Sequence, residues 1–282
     1  MCVVVITVVK DDLSGLMRTE KSIREQSAQV NWILVTPEDS SDTHNYAKDL
    51  LANGIVSRVI QDFSGGVYSA MNTAIENSNP LDWIWFLNAG DEFGSKDSYG
   101  QISEAASKTS KRWIYAGHFL GSEQGMILGK VPTPERFRIR NQLFARKYVS
   151  HQSTIFKQDF LMELGGFRTD LKIAADWDLL VRAARVEAGH RLPETISVFY
   201  MGGISTKERQ IGNAELFKLR KEFLGPQYLI QNYLWFSYRW IRNTIVQNIE
   251  KRFPKTANRI RKTRLSIKLA SSRSRIVNYT YE

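Results

Sequence analysis

The sequence predicts an α/β domain over about residues 1–206, built on a mostly parallel central sheet, followed by a helical, basic extension over 207–282. Three features of the chain predict it. Short β-branched runs alternate with helical patterns through the first ninety residues, the signature of βαβ units whose sheet is covered on both faces. The run Trp83–Leu87 is apolar throughout, as a strand buried on both sides must be, and it stops abruptly at Asn88-Ala89-Gly90-Asp91-Glu92. The charge is also uneven: residues 1–206 carry 22 Lys and Arg against 24 Asp and Glu, whereas 207–282 carry 17 against 5.

Taken in order, Cys2–Val9 reads as a first strand, since it lacks the basic start of a signal peptide and runs straight into Lys10-Asp11-Asp12. Ser14–Gln26 has helical periodicity, Asn31–Val35 is the second strand, and Asp42–Asn53 the second helix. Val56–Ile60 is the third strand, and Val67–Asn77 a helix that enters through the double glycine Gly65-Gly66. Residues 78–82 are a turn cluster before Trp83–Leu87. From about 98 to 206 the alternation is less regular. Ile114–Phe119, Met126–Gly129, Ser153–Phe156 and Arg191–Val198 look extended, while Lys157–Leu164 and Ala175–Ala188 look helical.

The extension is expected to be helical. Within Tyr228–Phe253, Ile230, Leu234, Tyr238, Ile241, Ile245 and Ile249 recur every three or four residues as one apolar stripe. One reading packs this stripe on the body of the protein. Another lays it in a membrane interface, with Trp235, Phe236 and Trp240 at headgroup level and the Lys/Arg-rich 251–275 stretch meeting anionic lipid. No stretch approaches the roughly 18 uninterrupted apolar residues of a spanning helix, so membrane contact is expected to be peripheral. Nucleic acid is not an expected partner, because the excess charge is confined to one end and no nucleic-acid module accompanies it. The single cysteine, Cys2, excludes an internal disulfide framework or a cysteine-based zinc site and fits a reducing, cytoplasmic setting.

Ligands of open parallel sheets bind beyond the carboxyl ends of the strands. Asn88–Glu92 lies at such an end, and Asp91, with Asn88 second, offers the oxygen ligands that a divalent cation such as Mg²⁺ prefers when it shares them with substrate phosphates. A turn of solvated acids would look the same. The Gly65-Gly66 entry brings a backbone close to a helix N-terminus, where anions bind, although it lacks dinucleotide-fingerprint spacing. Asp176, at the start of a helix whose dipole favours its ionised form, suits a general base; equally, it suits an N-cap. Asp178 and Arg182, four apart, read as a surface ion pair.

In order and separation these segments resemble the bacterial family-2 glycosyltransferases of the GT-A fold, within them the colanic-acid and related surface-polysaccharide subgroup. That subgroup carries V-D-G-G-S-x-D-G-T, G-I-Y-D-A-M-N-K-G-I, F-L-N-x-G-D, H-Q-x-x-F, G-G-F and A-D-x-D-L-x-x-R. Here the corresponding stretches are Val35–Thr43, Gly66–Ile75, Phe86–Asp91, His151–Phe156, Gly165–Phe167 and Ala175–Arg182, within roughly residues 1–206.

The resemblance implies a GT-A-like, Rossmann-type domain that transfers a sugar, with inversion, from a nucleotide-diphosphate sugar to an acceptor hydroxyl. It implies Asp91 as ligand of a divalent cation (Mg²⁺ or Mn²⁺) and Asp176 as catalytic base. Thr7, Val9, Asp39, Asn72 and Asn88 would border the nucleotide sugar, and His151 and Trp177 the acceptor side. The implied acceptor is a lipid-linked saccharide of surface-polysaccharide or O-antigen assembly, reached from the cytoplasmic face of the plasma membrane with the tail on anionic lipid. His44, His118 and His190 match nothing and are expected to be structural or solvated. The chain departs from the pattern at Thr36, Ser64 and Ser69, where Asp is usual, and at Pro37-Glu38, where glycines are. Two rival functions stand beside this one. A sugar-phosphate nucleotidyltransferase would also hold Mg²⁺ on carboxylates, but its glycine-rich phosphate loop after the first strand is replaced by Lys10-Asp11-Asp12-Leu13-Ser14-Gly15. The other rival is a non-catalytic scaffold that retains the fold.

Overall fold

The structure, a computed structural model, describes residues 2–37, 41–62, 65–144, 148–203 and 208–252. Its centre is a nine-stranded sheet of order β3-β2-β1-β4-β8-β6-β9-β5, with β7 paired to β6. The strands are β1 (Val3–Val8), β2 (Asn31–Thr36), β3 (Arg58–Gln61), β4 (Trp83–Phe86), β5 (Glu92–Phe93), β6 (Trp113–Gly121), β7 (Ile127–Val131), β8 (Thr154–Lys157) and β9 (His190–Tyr200). The first four pair in parallel, and β8 runs antiparallel to β4 with Trp85 opposite Ile155.

The helices are α1 (Leu13–Arg24), α2 (Asp42–Ala52), α3 (Val67–Glu76), α4 (Ser98–Lys108), α5 (Ile139–Leu143), α6 (Gln158–Glu163), α7 (Ala175–Val186), α8 (Arg209–Leu224) and α9 (Leu229–Arg252). Alternate strand residues fill two cores. Val4, Ile6, Ile84 and Phe86 face α3, α6 and α7, whereas Val3, Val5, Trp83 and Trp85 face α1 and α4. The expected two-sided burial of Trp83–Leu87 is met, since every one of those residues is buried.

Four elements were not foreseen. β5 is two residues long and shows no periodicity; α5 is barely longer than a turn. α4 has apolar residues on only one face, Tyr99, Ile102, Ala105 and Ala106, amid serines. A 3₁₀ turn at His151–Ser153 precedes β8. Val56, expected in the third strand, lies before it as a buried anchor whose backbone N–H donates to Leu50 O. Asp176 does not cap its helix: Ala174 is the N-cap, and the Asp176 carboxylate accepts from the Trp177 N–H at 2.8 Å one turn in. Asp178 and Arg182 are no surface pair either. Asp178 is fully buried and binds both Arg182, at 2.7 Å, and Arg168, at 3.4 Å, while Arg182 donates onward to the carbonyls of Gly166 and Leu164.

Candidate active site

The site lies beyond the carboxyl ends of β1 and β4. Gly90, at φ +92°, lets the chain turn sharply after β4. The turn is shaped from outside by Thr19 of α1, whose hydroxyl donates to Asp91 O at 2.8 Å and accepts from the Gly90 N–H at 3.0 Å. Because β8 is antiparallel to β4, the residues just before it, His151 and Gln152, lie alongside those just after β4. This register makes the decisive contact. His151 Nε2 lies 3.3 Å from Asn88 Nδ2, and its Nδ1 lies 3.2 Å from Asp176 Oδ2. One imidazole therefore joins the acidic turn to the start of α7 and links residues 88 positions apart in the chain.

The electrostatics follow from burial and from these contacts. Asp91 is buried; burial lifts its pKa to about 7, against the opposing charge of His151, the hydrogen bond from Gln152 Nε2 at 3.0 Å and one from the Tyr200 backbone. Burial alone would lower the His151 pKa, but the Asp176 hydrogen bond and the charges of Asp176 and Asp91 raise it above its ordinary value. Tyr68, donating to Ile173 O at 2.7 Å and lying 3.5 Å from Asp176, is pushed well up by burial and then by the Asp176 charge. Beneath His151 and Asp176 is a small apolar cavity lined by Phe86, Phe156, Leu179 and Leu180.

The residues suit a hard divalent cation. The Asn88 amide turns its Nδ2 toward His151, and its Oδ1 is buried and without a partner among the described residues. Asn88 Oδ1 and the desolvated Asp91 carboxylate are thus two oxygen donors on one turn. Among the described residues no group of three or more His, Cys, Asp or Glu side chains could hold a metal ion. An ion here would complete its shell with water and substrate oxygens, as Mg²⁺ commonly does.

The other predicted residues are placed less uniformly. Trp177 stacks on Tyr148, centroids 5.5 Å apart, beside Asp176. Thr7 is fully buried: its hydroxyl donates to Leu87 O at 2.6 Å and accepts from Trp32 Nε1 at 2.9 Å, so it ties β1 to β2 and β4 and presents nothing to a ligand. Val9 is a buried core residue. Both ends of the Asn72 amide are engaged by the backbone of one residue, donating to Phe167 O at 2.8 Å and accepting from Phe167 N–H at 2.8 Å. It fastens the Gly165–Phe167 turn, where a side chain on Gly166 (φ +64°) would strike it at 2.5 Å. Thr36 is buried and Ser69 partly so; Asp39 and Ser64 lie outside the described residues. His44 and His118 are buried, as expected of structural histidines, and burial lowers the His118 pKa to about 4.

Several residues of the site were not singled out in the sequence. Thr19 acts on Asp91 from 72 residues away in the chain, which no local pattern announces, and the H-Q-x-x-F match that contains Gln152 gave no sign that its amide meets Asp91. Asp62, a buried carboxylate bonded by Thr73 at 3.0 Å, had a signal: it directly follows a strand that ends at this edge of the sheet.

No protein-family profile matches the chain. An uncharacterized glycosyltransferase of Mycobacterium tuberculosis is 32% identical over 187 residues, which cover 64% of this chain and 68% of that protein. The chain belongs to the glycosyltransferases. A PGL/p-HBAD biosynthesis glycosyltransferase of Mycobacterium bovis is 22% identical over 161 residues, 56% of this glycosyltransferase and 60% of that protein. In fold, it resembles mannosyltransferase PcManGT of Pyrobaculum calidifontis, solved with GDP-Man and Mn²⁺: TM-score 0.60, 14% identity, 95% of this chain and 80% of that one. It also resembles S. aureus TarS 1–349, solved with UDP-GlcNAc: TM-score 0.60 and 12% identity, over 79% of this chain and just 65% of that one. The α/β fold of this glycosyltransferase is thus that of GT-A enzymes.

Proposed function

We propose that this glycosyltransferase moves a sugar from a nucleotide-diphosphate donor to an acceptor hydroxyl, with inversion, and that Asp176 is the base. The observation that carries the reading is the His151 bridge between Asn88, on the donor-side turn, and Asp176. An in-line displacement needs the leaving diphosphate and the incoming hydroxyl on opposite sides of one anomeric carbon, and the bridge spans the two sides. Asp176 takes the acceptor proton as the new C–O bond forms and the bond to the diphosphate breaks. His151 Nδ1 and the Trp177 N–H fix the carboxylate, and Trp177 and Tyr148 wall the acceptor side. Asn88 and Asp91 would hold a divalent cation, which supplies positive charge to the departing diphosphate. Solved relatives in fold support the donor class, since PcManGT binds GDP-Man and TarS 1–349 binds UDP-GlcNAc.

The acceptor we infer is a lipid-linked saccharide of surface-polysaccharide assembly, met at the cytoplasmic leaflet by peripheral attachment. Supporting this, Ile230, Leu234, Tyr238, Ile241 and Ile245 of α9 are all exposed on one helix face. Ile249 belongs to the same sequence stripe, but its side chain lies outside the description. Residues 253–282 then add eight Lys and Arg against one Glu. No helix among the described residues is long and apolar enough to cross a membrane.

Replacing the base tests the reaction. Asp176→Asn should lower transfer by about 100-fold or more while nucleotide affinity, followed by calorimetry with Mn²⁺ present, stays within about twofold. Full transfer by the variant would overturn the assignment. Comparing lipid-linked with water-soluble saccharides as acceptors tests the second inference, which equal rates would refute.

A further inference from the structure

The seam between α8 and α9 contains a buried cation with no carboxylate partner among the described residues. Arg220 is 1% exposed. Its Nε donates to Leu216 O at 3.1 Å, but both terminal nitrogens are buried and unpartnered among the described residues. Its guanidinium lies over the ring of Trp235 at 3.7 Å and over Phe144 at 5.1 Å. From the facing helix Arg239 lies over the same indole at 4.9 Å and donates to Asn213 Oδ1 at 3.3 Å. Asn213, 2% exposed, is left with an unpartnered Nδ2, and Asn232 Oδ1 is likewise buried without a partner among the described residues. The acidic residues of the region are turned elsewhere: Glu208 pairs with Lys172, Glu215 accepts from the N–H groups of residues 172–174, and Glu222 pairs with Arg168.

A buried guanidinium without a counter-ion is costly, and hydrogen-bond donors left empty beside it add to that cost. Burial, followed by the like charge of Arg239, pushes the Arg220 pKa down to about 9. Planar guanidinium donors match the oxygens of phosphate in pairs. We propose that the α8–α9 seam binds an oxyanion of the phosphate class, through Arg220, Arg239 and the Asn213 amide. The oxyanion comes from a phospholipid headgroup or from a soluble phosphate ester; either presents the same oxygens. The site is separate from the donor turn, and its existence does not depend on the transfer reaction.

Thermal unfolding of the full chain, in phosphate or diphosphate against chloride at equal ionic strength, tests the proposal. Asn213→Asp is the informative variant, because it installs an internal carboxylate where the oxyanion would sit, on the atom that already meets Arg239. Phosphate should raise the wild-type Tm by at least about 3 °C through preferential binding to the folded state. Asn213→Asp should unfold at a higher temperature than wild type without phosphate and respond to phosphate by less than about 1 °C. Arg220→Met, which keeps the stem over Trp235, should lose the response without becoming less stable in chloride. A wild-type chain indifferent to phosphate, or an Asn213→Asp chain that is destabilised or still responds, overturns the proposal. Co-sedimentation with phosphatidate and phosphatidylcholine vesicles distinguishes the sources: phosphatidate binding that falls in Asn213→Asp identifies the headgroup, and unchanged vesicle binding beside a lost phosphate response identifies a soluble ester.

Discussion

Asp91 is a carboxylate set out of reach of water, and of the charges acting on it only His151 opposes its own. Its pKa rises from 3.8 to about 7 on folding. A carboxyl raised in the fold contributes its full stability below about pH 4 and loses it as the pH climbs through 7. At pH 8 the ionised group opposes folding by on the order of 4 kcal/mol. Asp91→Asn should therefore flatten the fall in stability between pH 4 and 7 and raise the metal-free Tm at pH 8. It should also remove any stabilisation by Mn²⁺. Unfolding curves across pH, with chelator or Mn²⁺, read both effects together, and an Asp91→Asn chain still stabilised by Mn²⁺ would count against this residue as a ligand. If Asp91 holds the cation proposed above, it costs stability until that cation binds.

At the scale of elements, the N-terminal end of α7 is held by a web that begins at the Gly165–Phe167 turn. Asn72 clamps that turn, Arg182 draws it onto buried Asp178, and Phe167 stacks on Tyr68, 5.5 Å away, which reaches toward Asp176. Asn72→Ala leaves two backbone groups of Phe167 unpaired and should lower stability by about 1–3 kcal/mol. If Asp176 is the base proposed above, the effect on transfer should appear in kcat, with the donor KM little changed, because both bonds of Asn72 are made to the Phe167 backbone. The strands and helices of residues 1–90 were legible because β-branched runs and helical periods speak locally. The role of Asn72 was not, since its partner lies 95 residues on; nor was the burial of Asp178, because i,i+4 spacing reports proximity along a helix and says nothing of what covers it. The motif order singled out His151 and Asp176, but the contact of His151 with Asn88 follows from the antiparallel register of β8 on β4, which only pairing reveals.

For the whole molecule, the sheet order sets the site beyond the carboxyl ends of the interior strands β1 and β4, and the two faces of α9 differ in kind. Trp235 and Asn232 turn inward, whereas Leu234 and Ile241 are 69% and 58% exposed. Substituting both exposed residues with Glu should reduce partitioning onto anionic vesicles at least about tenfold, given the apolar area withdrawn from the interface. The Tm should stay within about 2 °C, since neither side chain supports the core; unchanged vesicle partitioning would dismiss the face as a lipid contact. The imidazole shared between Asn88 and Asp176 carries one more consequence, for how such an enzyme evolves. On the reaction proposed above, selection acting on the donor side would be felt on the acceptor side, so changes that retune the two choices should show strong epistasis when combined. New specificities should then arise by coordinated steps at positions 88, 151 and 176 rather than by independent drift at each.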